Sequence, residues 1–472
     1  MLPFKTSIGL YTDYYELTMA QGHFLNNRHE ERSCFDYFFR KNPYNGGFVV
    51  FAGLSSFIEM LQSFRFDEKD CEYLEQQGFD KNFINYLRNF EFKGNIHAVR
   101  EGEIIFPYEP VLHVEGTILE TQLIETLLLN ILNFESLIAT KACRCKLAAG
   151  DKTLMEFGLR RSQGFGGINA SKAAIIGGFD ATSNVYSASL YHLNSSGTMA
   201  HAWIQSFNDE LKAFRTYAKH FPEDCVLLVD TYDTLKSGIP NAVIVARELE
   251  EKGYRLKGIR LDSGDLTYLS SKARKQLNKA GLEYVKIIAS NQLDEYIIES
   301  LQIQGAPIDS FGVGTSLATG QEDAALDGVY KLSLFNGNPT IKISDNIAKM
   351  TLPGIKTVYR FFDEDGLFDA DGIAFKDEGD FEIIHHPFET DKQKSIKGLK
   401  KEELLTKVME GGNITYTSPS PYEIAEYVHS RLKQLPNEHK RFLNPHVYKV
   451  GITTNLMDER NNLAKQYLKK DF

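Results

Sequence analysis

The segment 259–266, Ile-Arg-Leu-Asp-Ser-Gly-Asp-Leu, places one arginine and two aspartates directly after an apolar approach. On a strand, alternate side chains point to the same face, so we expect Arg260 and Asp262 to lie side by side. Residues 263–265 are typical of a tight turn into a helix that Asp265 would cap. A cation and carboxylates at the end of a strand suit a sugar diol or a metal–phosphate group. The alternative interpretation is a salt-bridged loop with a capping aspartate.

Other predicted strands of this chain also end in polar or charged residues. In a parallel α/β barrel the active site gathers at the carboxyl ends of the strands, whatever the family. Purely structural strands rarely end in polar groups so often, so these positions are candidates for chemistry. They are the segment 156–161, His201, Asp230, Ser290 with Asn291, and the segment 312–316.

The segment 312–316, Gly-Val-Gly-Thr-Ser, follows an apolar predicted strand. Glycines such as Gly314 let backbone amides come close to a phosphate, and Thr315 and Ser316 add hydroxyl donors. A phosphate site in the late strand–helix loops recurs in barrels of this kind. A plain turn is the alternative, but the position in the chain favours phosphate binding.

An aromatic ring and two guanidinium groups occur together at residues 157–161. Arg160 and Arg161 could each hold a carboxylate or a phosphate through two parallel hydrogen bonds. Phe157 could offer a flat face to an aromatic ring. The alternative is an arginine pair in surface ion pairs beside a core phenylalanine, and these residues alone favour neither interpretation.

His201 and Asp230 are the remaining strand-end candidates. His201 lies two residues before Trp203, the single tryptophan of the chain. A lone histidine is usually structural, but a place at a strand end favours acid–base or nucleophilic roles. Asp230 ends the apolar run 226–229, so a buried strand would deliver a carboxylate to the mouth of the predicted barrel. Helix capping is the alternative for Asp230.

The composition of the chain limits the classes of protein to which it can belong. The chain has 472 residues, 42% hydrophobic and 25% charged, which is typical of a globular protein with two or three domains. A net charge of -10 argues against general nucleic-acid binding. No apolar run approaches the roughly 18 residues of a membrane span, and charged residues interrupt residues 1–17, which argues against a secretory signal. We therefore expect a cytoplasmic protein.

Cysteine usage is that of a reducing compartment. The number of cysteines is odd and there is no Cys-x-x-Cys pair, so we predict reduced, mostly buried thiols. No group of cysteines and histidines has zinc-ligand spacing along the chain, which argues against a zinc site. The five cysteines are Cys34, Cys71, Cys143, Cys145 and Cys225.

The pattern of apolar runs predicts three regions. Residues 1–135 are typical of a mixed α/β domain. From about residue 150, short apolar runs alternate with helical patterns, which predicts a parallel sheet with crossover helices. The number of such units favours an irregular α/β barrel over 136–335, although spacing alone does not exclude an open sheet. Residues 336–472 are predicted to supply C-terminal strands and a helical tail that complete and pack on the N-terminal domain.

Taken together, ten segments of this chain resemble the nicotinate phosphoribosyltransferases, a branch of the type II phosphoribosyltransferases. Each segment alone is a weak signal, but their order over residues 11–360 is that of the family and is highly specific. The last hundred residues match less firmly. The segments are 11–15, 38–43, 156–161, 177–184, 197–201, 228–233, 259–266, 311–317, 328–332 and 352–354.

The resemblance implies that nicotinate and phosphoribosyl pyrophosphate give nicotinate mononucleotide and pyrophosphate, the entry step of NAD salvage from nicotinate. It also implies magnesium, ATP hydrolysis coupled to the transfer, an irregular α/β barrel beside a mixed α/β domain, and a homodimer with the site at the subunit interface. The implied mechanism is dissociative, so catalysis is mostly positioning and electrostatic stabilisation. No base is needed, because a pyridine nitrogen carries no proton to remove.

The resemblance also assigns roles to the candidate residues. Phe157 would stack on the pyridine ring, with Tyr15 of the partner subunit on the opposite face. Arg160 would lie at the phosphoribosyl and base end, while Arg260 and Asp262 would hold the ribose and the phosphates. The remaining assignments are Gly314 and Thr315 to the 5′-phosphate, Ser290, Asn291 and Asp230 to substrate binding, and His201 to phosphorylation by ATP.

Three alternatives stay open. Relatives that use nicotinamide carry an aspartate in the loop matching 181–184, where this chain has Ser183, which does not repel a carboxylate. Asp180 lies so close that a shifted alignment would weaken this argument, and Arg161 replaces a small residue of those relatives. A non-catalytic protein of the same fold would have a damaged site. An aldolase-like barrel enzyme would usually need a lysine at the carboxyl end of a strand to form a Schiff base, but Lys286 lies near the start of a strand.

Overall fold

The computed structural model describes residues 7–344, 349–389 and 391–468. Its backbone contacts divide the chain into two compact units. Unit 1 comprises the described residues among 1–137 and 325–472, and unit 2 comprises residues 138–324. All the candidate site residues except Tyr15 belong to unit 2.

The first part of the chain mixes short strands with helices. Three of its helices begin at a side chain that accepts hydrogen bonds from the first turn: Asp67, Asp80 and Thr117 cap α3, α4 and α5 as numbered here. The elements are α1 (Tyr14–Leu25), β1 (Arg32–Phe39), β2 (Val49–Val50), α2 (Leu54–Leu61), α3 (Glu68–Gln76), α4 (Lys81–Leu87), β3 (Asn95–Ala98), β4 (Ile104–Ile105), β5 (Leu112–Thr117), α5 (Ile118–Leu123) and α6 (Glu125–Ala149).

The middle part alternates strands and helices, as the apolar pattern predicts. The elements are β6 (Thr153–Glu156), α7 (Gly166–Ile176), β7 (Ala181–Thr182), α8 (Val185–Tyr191), α9 (His201–Gln205), α10 (Glu210–His220), β8 (Val226–Leu228), α11 (Ile239–Glu250), β9 (Gly258–Leu261), α12 (Leu266–Lys279), β10 (Lys286–Ser290), α13 (Glu295–Ile303), β11 (Ser310–Val313) and α14 (Thr315–Ala318). The predicted cap of α12 is confirmed, because the Asp265 side chain accepts from the backbone N–H of Tyr268.

The last part is rich in strands and closes with two helices. The elements are β12 (Gly328–Phe335), β13 (Asn338–Pro339), β14 (Lys356–Phe362), β15 (Phe368–Phe375), β16 (Ile383–His385), β17 (Gln393–Ser395), β18 (Lys400–Glu403), β19 (Thr406–Glu410), β20 (Asn413–Ile414), α15 (Pro421–Gln434), β21 (Val450–Ile452) and α16 (Thr454–Leu468). Ser420 and Glu423 form a capping box at the start of α15.

Unit 2 is built on one six-stranded sheet in the order β7-β6-β11-β10-β9-β8. All its strand pairs are parallel, so the carboxyl ends of the six strands share one edge. The predicted α/β class with a parallel sheet is therefore confirmed. Among the described strands β7 and β8 form the two outer edges and do not pair with each other, so closure of the sheet into a barrel stays a prediction.

Unit 1 contains two larger sheets and a two-stranded ribbon. The first sheet has the order β13-β12-β1-β5-β3-β19-β20, in which β12 pairs antiparallel with β1 and β19 with β3. Strands from the last part of the chain therefore extend the N-terminal sheet on both sides. The other sheet, β17-β16-β21-β15-β14-β18, contains β14, which the sequence placed with the N-terminal strands.

The five cysteines are all buried, which confirms the prediction of buried thiols. Burial alone raises the pKa of the Cys225 thiol to about 12, so it stays protonated. No helix in the described part of the chain combines the length and the apolar character needed to cross a bilayer.

Glu16, on α1, is completely buried. Burial, reinforced by the charge of Glu125, raises its pKa from 4.5 to about 7. The folded state therefore holds a proton that the unfolded state releases above about pH 4.5, and stability is lost as pH rises through 7. We expect Glu16→Gln to raise the free energy of unfolding by up to ~3 kcal/mol at pH 8 and by little at pH 4.5.

Urea unfolding of both proteins at the two pH values measures this difference. The control is Glu59→Gln, because Glu59 is exposed on α2. The raised pKa of Glu16 would be contradicted if Glu16→Gln changed the free energy of unfolding by the same amount at both pH values.

Candidate active site

Each strand of the parallel sheet in unit 2 delivers a candidate residue just beyond its carboxyl end. Because the six strands are parallel, these residues gather along one edge of the sheet. Phe157 follows β6, Ser183 follows β7, Asp230 follows β8, Asp262 follows β9, Asn291 follows β10 and Gly314 follows β11.

Arg260, Asp262 and His201 form a charged cluster at this edge. Arg260 Nη2 lies 3.8 Å from Asp262 Oδ2, as expected for two side chains on the same face. His201 Nε2 lies 3.7 Å from the same carboxylate oxygen. Asp262 thus faces a guanidinium and an imidazole, and its side chain is 27% exposed.

Two neighbours fix the position of Asp262. Asp230 Oδ2 accepts hydrogen bonds of 2.7 Å from the backbone N–H of Asp262 and from the Ser263 hydroxyl. The Ser290 hydroxyl donates to Asp262 Oδ1. Asp230 is therefore not a helix cap, and Ser290 acts on Asp262 rather than presenting a free hydroxyl. The other Asp230 oxygen, Oδ1, is buried and has no hydrogen-bond partner.

Arg260 is a buried cation with unused donor capacity. Its side chain is 13% exposed, and Nη1 donates to the Thr198 hydroxyl at 2.5 Å. Its Nε is buried without a hydrogen-bond partner. Burial lowers the pKa of Arg260, and the positive charge of Arg160 lowers it further, against the attraction of Asp262 and Asp230. Two cations around an unsatisfied donor make this edge a site for an anion.

Phe157 lies against the carboxyl end of β11. The ring occupies the space that a side chain at position 312 would need, since a Cβ added to Gly312 would lie 2.4 Å from the ring. The Phe157 N–H donates to the Val313 carbonyl at 2.8 Å. A Cβ at Gly158 would lie 2.3 Å from Ala318 Cβ, so glycine is required there as well.

Glu156 organises the site, although the sequence analysis assigned it no role of its own within the candidate segment 156–161. Its buried carboxylate accepts hydrogen bonds from the Gly158 N–H, the Ser171 hydroxyl and the Thr182 hydroxyl. It thereby ties the turn after β6 to α7 and β7. A glutamate at the end of an apolar strand was a visible signal, but its partners come from three separate elements.

The loop 312–316 differs from its prediction in one residue. Gly314 is the residue before α14 and Thr315 is exposed. Ser316, in contrast, is buried, and its hydroxyl donates to the Leu293 carbonyl. The prediction that Ser316 offers a free donor is therefore wrong, because the neighbouring loop uses that hydroxyl.

The predicted place of His201 at a strand end is wrong, because the preceding segment forms only an isolated bridge at Ser195. His201 instead begins the short helix α9, and its Nδ1 lies 3.1 Å from the Thr231 hydroxyl. Thr231 and Thr198 are site residues that sequence reasoning missed, because single threonines in loops carry no signal of their own.

The arginine pair and Tyr15 are more exposed. Arg160 and Arg161 lie in a 3₁₀ turn, Leu159–Arg161, directly after Phe157 and Gly158, and both side chains are exposed. Tyr15, on α1 of unit 1, is 48% exposed. Its place against a partner subunit stays a prediction.

Unit 1 contains a separate cavity of about 1030 Å³ with a cationic lining. None of the candidate site residues lines this cavity, so it is not part of the candidate active site in unit 2. Its basic residues are Arg40, Lys41, Lys392, Lys394 and Lys449.

Comparison with known protein families finds matching descriptions for three parts of this chain. The description "Nicotinate phosphoribosyltransferase (NAPRTase) family" matches residues 153–390. The N-terminal domain of nicotinate phosphoribosyltransferases matches residues 10–133, and the C-terminal domain matches residues 355–460.

Individual relatives agree over nearly the whole chain. The nicotinate phosphoribosyltransferase of Bacillus subtilis is 43% identical over 458 residues, covering 95% of this chain and 93% of the relative. That of Dictyostelium discoideum is 38% identical, covering 96% and 88%. The crystal structure of human nicotinic acid phosphoribosyltransferase is similar with a TM-score of 0.86 at 31% identity, covering 96% of this chain and 99% of that one.

Proposed function

The chain belongs to the nicotinate phosphoribosyltransferase family, and on that premise we propose where and how it transfers the phosphoribosyl group of phosphoribosyl pyrophosphate to nicotinate. The products are nicotinate mononucleotide and pyrophosphate, and the reaction serves NAD salvage. We place it at the carboxyl edge of the unit 2 sheet. The observation that carries this assignment is the buried Arg260, with an unpartnered Nε beside the charge of Arg160.

Each group at the sheet edge suits one part of the substrates. The Arg260 guanidinium would hold the phosphates and Asp262 would accept hydrogen bonds from the ribose diol. Gly314 and Thr315 would receive the 5′-phosphate, since glycine allows close approach of the backbone. Phe157, held by the carboxyl end of β11, would stack on the pyridine ring.

Strand register supports nicotinate over nicotinamide as the base. In the parallel pairing of β6 with β7, Glu156 lies opposite Thr182, so Ser183 follows at the carboxyl end beside Phe157. Asp180 precedes β7 at the opposite end, where its carboxylate accepts from the Leu154 N–H at 2.8 Å. The carboxylate nearest in sequence to the base loop is therefore turned away from the sheet edge, and Ser183 does not repel nicotinate.

Magnesium would fit the carboxylate oxygens of Asp230 and Asp262. Mg²⁺ prefers carboxylate oxygens and phosphates, and Asp230 Oδ1 is a buried carboxylate oxygen with no hydrogen-bond partner. Asp230 and Asp262 would hold the ion, and when bound it would supply positive charge to the pyrophosphate. Asp230 also holds the backbone of Asp262, so one residue would position both the ion and the ribose ligand.

The chain's own groups would then act by positioning and by electrostatics. As pyrophosphate leaves and positive charge grows on the ribose, the Asp262 carboxylate stabilises that charge while Arg260 holds the phosphates. The pyridine nitrogen attacks without loss of a proton, so no side chain need act as a base.

ATP coupling would pass through His201. The Thr231 hydroxyl at Nδ1 orients the ring so that Nε2 faces Asp262. Transfer of the terminal phosphoryl group of ATP would form an N–P bond on the imidazole and release ADP. Hydrolysis would restore the ring, and the added negative charge beside Arg260 and Asp262 would alter binding at the site.

The larger assembly follows the family in this proposal. The unit 2 sheet would curve into an irregular barrel, the chain would act in the cytoplasm, and two copies would form a homodimer. Tyr15 supports the dimer, because its exposed aromatic side chain on α1 could pack against a second copy of the chain. We assign neither nucleic acid nor a membrane as a partner.

The proposal is tested by mononucleotide formation from phosphoribosyl pyrophosphate and magnesium, with nicotinate or nicotinamide, each with and without ATP. We expect product from nicotinate and stimulation by ATP. Product from nicotinamide alone would overturn the Ser183 argument while leaving the phosphate site in place. Absence of product from either base would instead support a non-catalytic protein of this fold.

A further inference from the structure

A second cluster of ionisable groups lies in unit 1, outside the candidate active site. It consists of His97 on β3 and of His113 and Glu115 on the neighbouring strand β5. His97 and His113 are direct cross-strand partners. His113 and Glu115 are two residues apart on one strand and share a face. The sheet therefore holds three potential metal ligands on one face.

The donor atoms of this cluster converge. His113 Nε2 lies 3.3 Å from Glu115 Oε1, and His97 Nδ1 lies 3.7 Å from the same oxygen. One ligand atom from each residue lies within 4.8 Å of the other two. Zinc bound tetrahedrally at 2.0–2.2 Å separates its ligand atoms by roughly 3.3–3.6 Å. Small side-chain rotations would place all three donors around one ion.

Burial leaves the imidazole nitrogens poorly satisfied. The His113 side chain is 1% exposed and that of His97 is 10% exposed. Both ring nitrogens of His113 and Nδ1 of His97 are buried without a hydrogen bond of good geometry. Buried polar atoms normally have partners, and here three nitrogens beside one carboxylate keep donor or acceptor capacity that a bound ion could use.

Two lysines beside the cluster carry positive charges that would repel a metal ion. Lys376 Nζ lies 3.7 Å from Glu115 Oε1, and Lys407 is the cross-strand partner of His97 on β19. Both side chains are 41% exposed, so each can turn towards solvent when an ion binds. On the other side, Asp36 is the partner of His113 on β1 and already pairs with Lys356 at 2.8 Å.

We propose that His97, His113 and Glu115 form a binding site for zinc or a similar divalent transition metal. Two imidazoles and one carboxylate are ligands that zinc uses in sites that leave a position for water. Glu115, whose side chain is 21% exposed, opens the site to that water. Magnesium prefers an all-oxygen shell, so this site would be selective against the ion of the transfer reaction.

The sequence argument against zinc considered only the spacing of ligands along the chain. His97 and His113 lie on different strands, and only the β3–β5 register brings them together. Ligands from paired strands share no fixed sequence spacing, so that argument does not test a site of this kind.

The test is zinc binding by the full chain, free of any histidine tag and stripped with a chelator, followed by titration calorimetry without substrates. We expect one zinc per chain. His97→Gln and Glu115→Gln should each weaken binding by at least the roughly 10–100-fold that loss of an outer-shell partner costs. The control is His220→Gln, because His220 is exposed at the end of α10 and should leave binding unchanged.

A gain-of-affinity variant keeps the proposal testable if a ligand variant does not fold. Lys376→Gln removes a competing charge at an exposed position and should tighten zinc binding. The proposal would be overturned if the chain did not bind zinc, or if folded His97→Gln and Glu115→Gln bound zinc as tightly as the unsubstituted chain. Displacement of zinc by excess magnesium would also overturn it. So would the absorption of a cobalt–thiolate bond after cobalt is substituted for zinc, because it would place the ion on a cysteine. Since no substrate is present, the outcome is independent of the transfer reaction.

Discussion

Replacing Arg260 by alanine is expected to abolish phosphoribosyl transfer while the protein stays folded. The guanidinium is the buried cation of the sheet edge and carries a donor with no protein partner. Removal of one preorganised donor at a developing charge typically costs about 10²–10³-fold in rate, and Arg260 would contribute more than one. We therefore expect kcat/KM to fall by at least about 10³-fold. Asp262→Ala should produce a comparable loss, because it removes the proposed ribose ligand.

The fold should tolerate these changes because the ion pair of Arg260 with Asp262 is long and partly exposed. The guanidinium lies 3.8 Å from Asp262, whose side chain is 27% exposed, and makes one hydrogen bond, to Thr198. A loose pair of this kind contributes little to stability, so we expect the melting temperature to change little. Steady-state kinetics and thermal unfolding measure the two effects. The matched control is Arg255→Ala, since Arg255 is exposed and stacks on Tyr284.

Retention of activity in both Arg260→Ala and Asp262→Ala would contradict the site assignment. Loss of activity together with loss of folded structure would be resolved by Arg260→Lys, which keeps the charge but not the planar fork of donors. We expect Arg260→Lys to recover only part of the lost rate.

Replacing His201 by alanine is expected to remove ATP stimulation more than basal transfer. The imidazole touches Asp262 only at 3.7 Å and its ring is partly exposed, so loss of that contact should cost basal activity less than about ten-fold. Phosphorylation, in contrast, needs the ring itself. The ratio of rates with and without ATP should therefore fall close to one.

A graded variant separates orientation of the ring from its presence. Thr231→Val removes the hydroxyl at His201 Nδ1, and a lost hydrogen bond of about 1 kcal/mol corresponds to roughly a five-fold weaker ATP stimulation. His220→Ala serves as the control. Equal loss of basal and ATP-stimulated rates in His201→Ala would make His201 a general site residue and would end the phosphohistidine proposal.

Local features of the sequence predicted much of unit 2. The alternation of apolar runs with helical patterns predicts a parallel sheet, because side-chain periodicity reports on each element separately. Asp265 was recognisable as a cap because capping depends on three neighbouring residues. The positions of Phe157, Asp230, Asp262 and Gly314 beyond strand ends followed in the same way.

Contacts between distant segments were not predictable in this way. Asp230 was predicted to bring a carboxylate to the site, with helix capping as the alternative, but the sequence did not reveal that it holds the loop after β9. Ser316 was interpreted as a ligand donor, but the Leu293 carbonyl takes its hydroxyl. In both cases the hydrogen-bond partner lies on another element. The type of a polar side chain does not by itself reveal which partner the folded chain brings to it.

The sequence by itself determined the family, the α/β class and the order of the chemical groups along the chain, because periodicity, caps and motif order are local or linear properties. Only the tertiary structure decided that Asp180 and Ser183 lie at opposite ends of β7, that Arg260 keeps an unpartnered donor, and that His97 and His113 meet on one face. The physical reason is that burial, strand register and hydrogen-bond competition arise only when segments far apart in the chain come into contact.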